Sequence, residues 1–167
     1  MGKKSILLIF SLLLVSGCSF IYDSNGLIND VGMIDKVSVG VYEDVNGEAV
    51  VEKEIEIVDP EQVGDFILLA RGIDVEPLES LERAQDMIDH QDSYERTYEV
   101  TFTASSELTV DTISATKGFF FVLEEGKLVF TDPDTLAEPK VQCYITVDEQ
   151  AEVIAQFEDI IQLQTTN

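Results

Sequence analysis

Between Tyr94 and Ala104 the side chains alternate: Tyr98, Val100 and Phe102 fall on one parity, and Glu95, Thr97, Glu99, Thr101 and Thr103 on the other. A period of two sends successive side chains to opposite faces, so this segment reads as a strand with one buried and one solvated face. Val37, Val39 and Val41 against Ser38, Gly40 and Tyr42 repeat the pattern. Asn46-Gly47 then predicts a tight hairpin turn, because both central residues of a type I′ turn need positive φ. The returning strand is expected to place Val51, Ile55 and Ile57 on one side and Glu52, Glu54 and Glu56 on the other. Phe119 to Leu123 is apolar on both parities, as a central strand should be, and Glu125-Gly126 turns it into Lys127 to Phe130. A weaker strand is expected from Thr109 to Ala115. The last covers Val141, Cys143, Ile145 and Val147.

Helical signals interrupt these strands. Asp59-Pro60-Glu61-Gln62 combines an N-cap, a proline at the first helical position and a capping-box glutamine. Val63, Phe66, Ile67 and Ala70 then make one apolar stripe, and Gly72 stops the helix after Arg71. Leu78, Leu81, Ala84, Gln85 and Ile88 predict a second, weaker helix ending near His90. A third, capped by Thr146 with Glu149 or by Asp148, carries Val153, Ile154, Phe157, Ile160 and Ile161 on one side. The expected architecture is α+β: a mostly antiparallel sheet of about six to seven strands with two long amphipathic helices packed on one face.

The N-terminus addresses location rather than fold. Lys3 and Lys4 precede the apolar run Ile6 to Val15, and Val15-Ser16-Gly17-Cys18 resembles a bacterial lipoprotein lipobox. Ten helical residues rise about 15 Å, half of a hydrocarbon core, so the run is too short to span a membrane. Residues 1–17 are therefore expected to be a signal peptide and Cys18 the lipidated first residue of the mature chain. Diacylglyceryl transfer plus amine acylation supplies the two or more chains that stable anchoring needs. Residues 18–35, rich in turn formers, read as the lipidated cysteine and its tether, although Phe20, Ile21, Leu27 and Ile28 leave open whether part of it packs. Residues 36–167 form one domain on this reading, held on the extracytoplasmic face of the cell membrane.

Charge removes several function classes. The net charge of −23 becomes −25 once Lys3 and Lys4 leave with a signal peptide that carries no acids. Such a surface repels phosphate backbones, so no nucleic acid is expected as a partner. The lipid anchor is the membrane contact, the chain is expected to be a monomer, and no cofactor is expected. With Cys18 committed to lipid, Cys143 has no intramolecular partner, and its parity places it in a strand core as a small hydrophobe.

Asp86, Asp89 and His90, with Asp92, form the densest set of potential metal ligands, at i, i+3 and i+4 if helical. The apolar side of that helix turns the cluster to water, which makes them weak candidates, and no metal is expected. Asp132, Asp134 and Glu138 are weaker still. Ser105 and Ser106 lack a nucleophile-elbow context, and a lone histidine leaves little for a triad. The expected function is a non-catalytic binding or interaction module for an envelope protein, with Tyr42, Tyr144 and the Phe119 to Phe121 run as contact candidates. The alternative is a cation-binding or enzymatic envelope protein built on Asp86 to Asp92.

The order of features resembles the YhfM-like lipoprotein domain of Gram-positive bacteria, a family of uncharacterised role. The matching features are the lipobox, a hairpin, the capped helix Asp59 to Arg71, the strand Tyr94 to Ala104, the hairpin Phe119 to Phe130, and the Cys143 strand running into a C-terminal helix. The resemblance implies a location and a fold, and no catalytic residues.

Overall fold

The computed structural model describes residues 22–45, 48–91, 97–107 and 112–165. The lipobox, Cys18, the Asn46-Gly47 turn, Asp92, Tyr94 to Arg96 and Thr109 to Asp111 lie outside them. In chain order the elements are β1 (Tyr22–Asp23), β2 (Lys36–Val45), β3 (Glu48–Ile57), α1 (Pro60–Ala70), β4 (Asp74–Pro77) and α2 (Leu81–Asp89). Then follow β5 (Tyr98–Thr103), β6 (Thr116–Val122), β7 (Leu128–Thr131), β8 (Cys143–Thr146) and α3 (Ala151–Thr165). All strands join one antiparallel sheet in the order β1-β4-β8-β7-β6-β5-β2-β3.

The fold class is α+β, and the described residues hold eight strands where about six to seven are expected. Two of them, β1 and β4, have two and four residues. That is too short for a period to show, and their identity comes from pairing. The strand expected across Thr109 to Ala115 is not one where it is described: Thr112–Ala115 is a single helical turn. Its end is pinned by the Thr116 hydroxyl, which donates to the Thr112 carbonyl at 3.0 Å.

Local capping explains α1. The Asp59 carboxylate accepts from the Glu61 and Gln62 amides at 3.2 and 3.1 Å, satisfying two donors that the first turn leaves orphaned. Gly72 follows with φ +76°, the left-handed conformation that ends helices. The start of α3 differs from the expected cap. Thr146 belongs to β8, is fully buried, and its hydroxyl accepts from the Leu128 amide at 3.1 Å. A sheet bond takes the side chain, and the helix begins only at Ala151.

Two buried clusters lie on opposite sides of the sheet. Val63, Phe66, Ile67 and Ala70 of α1 and Ile154, Phe157 and Ile161 of α3 share the larger with Val37, Val39, Val100, Phe102, Phe120, Leu128 and Phe130. Ala84 of α2 joins the smaller with Leu123, Val129, Cys143 and Ile145. Leu128 and Phe130 alternate with Val129, so the clusters are on opposite faces, and α2 covers part of the face that α1 and α3 leave.

The segment from Tyr22 to Asp35 is folded against this body. β1 pairs with β4, Leu27 and Ile28 are buried, and Ser24 donates to the Ala70 carbonyl at 2.8 Å while accepting from the Ile73 amide at 3.0 Å. The packing left open by composition is thereby decided for Leu27 and Ile28, while Phe20 and Ile21 lie outside the described residues. Gly118 makes room for it: a Cβ there would stand 3.1 Å from Ile28 Cγ1 and 3.2 Å from the Leu27 carbonyl oxygen.

Lys117 fastens the same segment. Its ammonium lies 2.8 Å from Glu107 and 3.3 Å from Asp30, with the side chain only 10% exposed. Lys117→Met is expected to cost about 1–3 kcal/mol at neutral pH, because both charge-assisted bonds are lost. The Glu107 hydrogen bond, foremost, raises the lysine pKa against the opposing effect of burial. The contribution is therefore complete below the ordinary lysine value of about 10.4 and fades as pH rises through the higher folded value. Urea unfolding of both proteins should show a constant difference from about pH 7 to 9 that shrinks above about 10.4.

Candidate binding face

The second face of the sheet changes character along its rows. Glu54, Gly40, Glu99, Phe121, Val129 and Ile145 are successive register partners from β3 to β8. Val129 and Ile145 are buried in the cluster that holds Ala84 of α2 and Phe121 packs, half-buried, against its edge, whereas Glu99 is half-buried outside it and Glu54 is exposed. The neighbouring row runs Glu56, Ser38, Thr101, Phe119, Thr131 and Cys143. Across β5, β2 and β3 this face carries side chains of mixed aromatic, hydroxyl and carboxylate character, and the α2 cluster does not extend over them.

Tyr42 anchors the aromatic part. Its ring lies 5.9 Å from that of Phe121, which meets Phe119 edge-on at 5.4 Å. Its hydroxyl donates to Glu99 Oε2 at 2.7 Å. Burial, followed by the Glu99 carboxylate, pushes the phenol well above its ordinary pKa, so it remains a donor throughout the physiological range. Beside it a shallow hollow of about 290 Å³ is lined by Ser38, Gly40, Val51, Glu54, Glu99 and Thr101. Gly40 forms its floor, where a Cβ would meet Glu99, Tyr42 and Val51 at 3.6 to 3.9 Å.

Val51 reaches this face through a register shift. Val41 pairs with Lys53 but Tyr42 pairs with Val51, so Glu52 is the extra residue of a bulge. The expected grouping of Val51 with Ile55 and Ile57 is corrected: the bulge reverses parity and puts Val51, 49% exposed, beside Tyr42. Simple alternation carries no signal for such a shift. Glu99, Thr101, Ser38 and Gly40 were readable as outward-facing, but their assembly beside the phenylalanines depends on strand order.

The other candidates are placed elsewhere. Phe120 is fully buried, and Tyr144 lies on the opposite face in edge contact with Tyr22 at 5.8 Å. Asp86 Oδ2 accepts from Arg83 at 2.8 Å, and its other oxygen is 3.2 Å from His90 Nδ1. Asp89 accepts instead from Gln85 at 2.8 Å. Asp86 and His90 are thus brought together as an exposed pair at the end of α2, while Asp89 is engaged separately. Among the described residues no three histidine, cysteine or carboxylate side chains gather around one point. A cleft of about 640 Å³ borders Arg83, Asp86, Met87 and His90, and its far wall includes Leu123 and Glu124.

Asp132 and Asp134 are also used locally. Asp132 Oδ1 accepts from the Asp134 amide at 3.0 Å, and Asp134 accepts from the Asn29 side chain at 2.7 Å. Cys143 is buried, and burial pushes its thiol up from the ordinary value, away from the nucleophilic thiolate. No helix among the described residues is long and apolar enough to cross a membrane. No family model, curated protein or solved structure matches this chain.

Proposed function

We propose that this chain is a lipid-anchored extracytoplasmic binding module of a bacterial envelope, non-catalytic, which holds an envelope protein on the face formed by β6, β5, β2 and β3. The observation that carries the reading is the Tyr42, Phe121, Phe119 and Val51 group on a sheet face that α2 covers only in part. Half-exposed aromatics on a rigid sheet offer large contact area at low entropic cost, and a hydroxyl already held by Glu99 fixes the Tyr42 ring before any partner arrives. With α1 and α3 on the opposite face, Tyr42 and Val51 belong to neither buried cluster among the described residues. The lipobox ending at Cys18 supports the location, as does the resemblance to a lipoprotein domain.

Crosslinking in intact cells tests the reading. The expected result is reproducible recovery of one envelope protein, reduced at least about tenfold by Tyr42→Ala, the effect of losing a central contact residue. Tyr144→Ala, on the opposite face, should leave recovery unchanged. Recovery of nonspecific neighbours alone, or equal sensitivity to both substitutions, overturns it.

A further inference from the structure

The binding face ends at β3, and that strand has a second surface. Among the described residues Glu48–Ile57 is a ten-residue strand at the sheet edge, paired with β2 on one side only. Alternate N–H and C=O groups of an antiparallel edge strand point outward without a ladder partner, a template for another chain. At the opposite edge β1 has two residues among those described.

Charge selects what can pair there. Glu52, Glu54 and Glu56 are exposed along β3, with Lys53 as the opposing charge among them. Glu56 is paired with Lys36 at 2.8 Å, while Glu52 and Glu54 have no ion-pair partner among the described residues. A second copy is disfavoured: antiparallel pairing of two such edges sets glutamates against glutamates on chains of net charge −23. The same row favours a strand of opposite sign. The bulge at Glu52 interrupts the ladder, so the regular portion is Lys53 to Ile57, about 17 Å of edge.

We infer that the β3 edge accepts an extended segment of a partner polypeptide with lysine or arginine at every second position, added as a ninth strand. The inference rests on the reading that the β5, β2 and β3 side of the sheet is the contact surface, and it gives that contact a mode. Main-chain bonds to β3 supply the attachment, and the basic parity lies beside Glu54 and Glu56.

The experiment uses the full-length chain in detergent micelles and two synthetic octapeptides of equal charge, one alternating Lys and Val, the other alternating Lys and Pro. Proline lacks the N–H a ladder needs and is excluded from paired strand positions. The Lys/Val peptide should bind at least tenfold more tightly by fluorescence anisotropy and slow amide hydrogen exchange in β3. The double variant Glu54→Lys/Glu56→Lys should weaken that binding at least tenfold, and Glu79→Lys/Glu125→Lys, the same charge change elsewhere, less than threefold. Equal binding of the two peptides, protection that omits β3, or equal losses in both double variants overturns strand addition and leaves only general attraction to an acidic surface. None of those outcomes touches the dependence of crosslinking on Tyr42, so failure of this mode is distinguishable from failure of the binding module itself.

Discussion

Phe157→Ala is expected to lower the unfolding free energy by about 3–5 kcal/mol, the range for deleting a buried aromatic side chain. Phe157 is 1% exposed, stacks on Phe66 of α1 with ring centres 4.9 Å apart, and meets Phe120 of β6 at 5.6 Å. Phe120 in turn contacts Phe102 and Phe130 at 6.0 and 5.1 Å. The ring is thus a junction between two helices and the centre of the sheet. Its removal loses the transfer free energy of the ring and leaves a cavity that neighbours on three elements cannot close by moving singly. Against a typical domain stability of about 5–15 kcal/mol, that is a large fraction. Urea denaturation should show a lower midpoint with an unchanged slope. Leu68→Ala, on the exposed side of α1 with Leu68 73% exposed, should stay within about 0.5 kcal/mol. A loss below about 1.5 kcal/mol for Phe157→Ala would mean that Phe66 and Phe120 collapse into the space, against the packing described.

Cys18→Ala is expected to abolish fatty-acid labelling and membrane retention while leaving the unfolding transition of the domain unchanged. The thiol is the acceptor of the diacylglyceryl group on the lipobox reading, and without acyl chains a surface of net charge −25 has no attraction to anionic headgroups. Stability should not change, because the expected role of Cys18 is to carry lipid and not to pack in the core. The four-residue separation also bounds the geometry: fully extended, the chain from Cys18 to Tyr22 reaches at most about 14 Å. The composition of residues 18–35 suggested a tether several times longer, but Ser24, Leu27 and Ile28 are committed to the fold. On this reading the domain sits close to the membrane. Survival of labelling in the variant sinks the lipoprotein assignment.

What the sequence by itself determined about this protein is what local chemistry decides. The Asp59 cap, Pro60 and Gly72 delimit α1 because each acts on backbone groups within a few residues. The alternation in β2 and β5 put Val37, Val39, Val100 and Phe102 in the core because a strand has two faces and the pattern chooses between them. Cys143 was readable as buried for the same reason. The tertiary structure alone decided the rest, since each remaining feature is a competition between partners distant in sequence. β1 and β4 are strands only because they find each other and β8. Thr146 gave up a helix cap for the Leu128 amide. Asp86, a metal candidate by spacing, is held by Arg83 and His90, an arrangement that spacing allows but does not rank. The bulge at Glu52 and the strand order brought Val51, Tyr42, Glu99 and Phe121 onto one face. A period reports which way a side chain points, whereas pairing, register and coverage depend on which distant surface buries most with fewest polar groups unsatisfied.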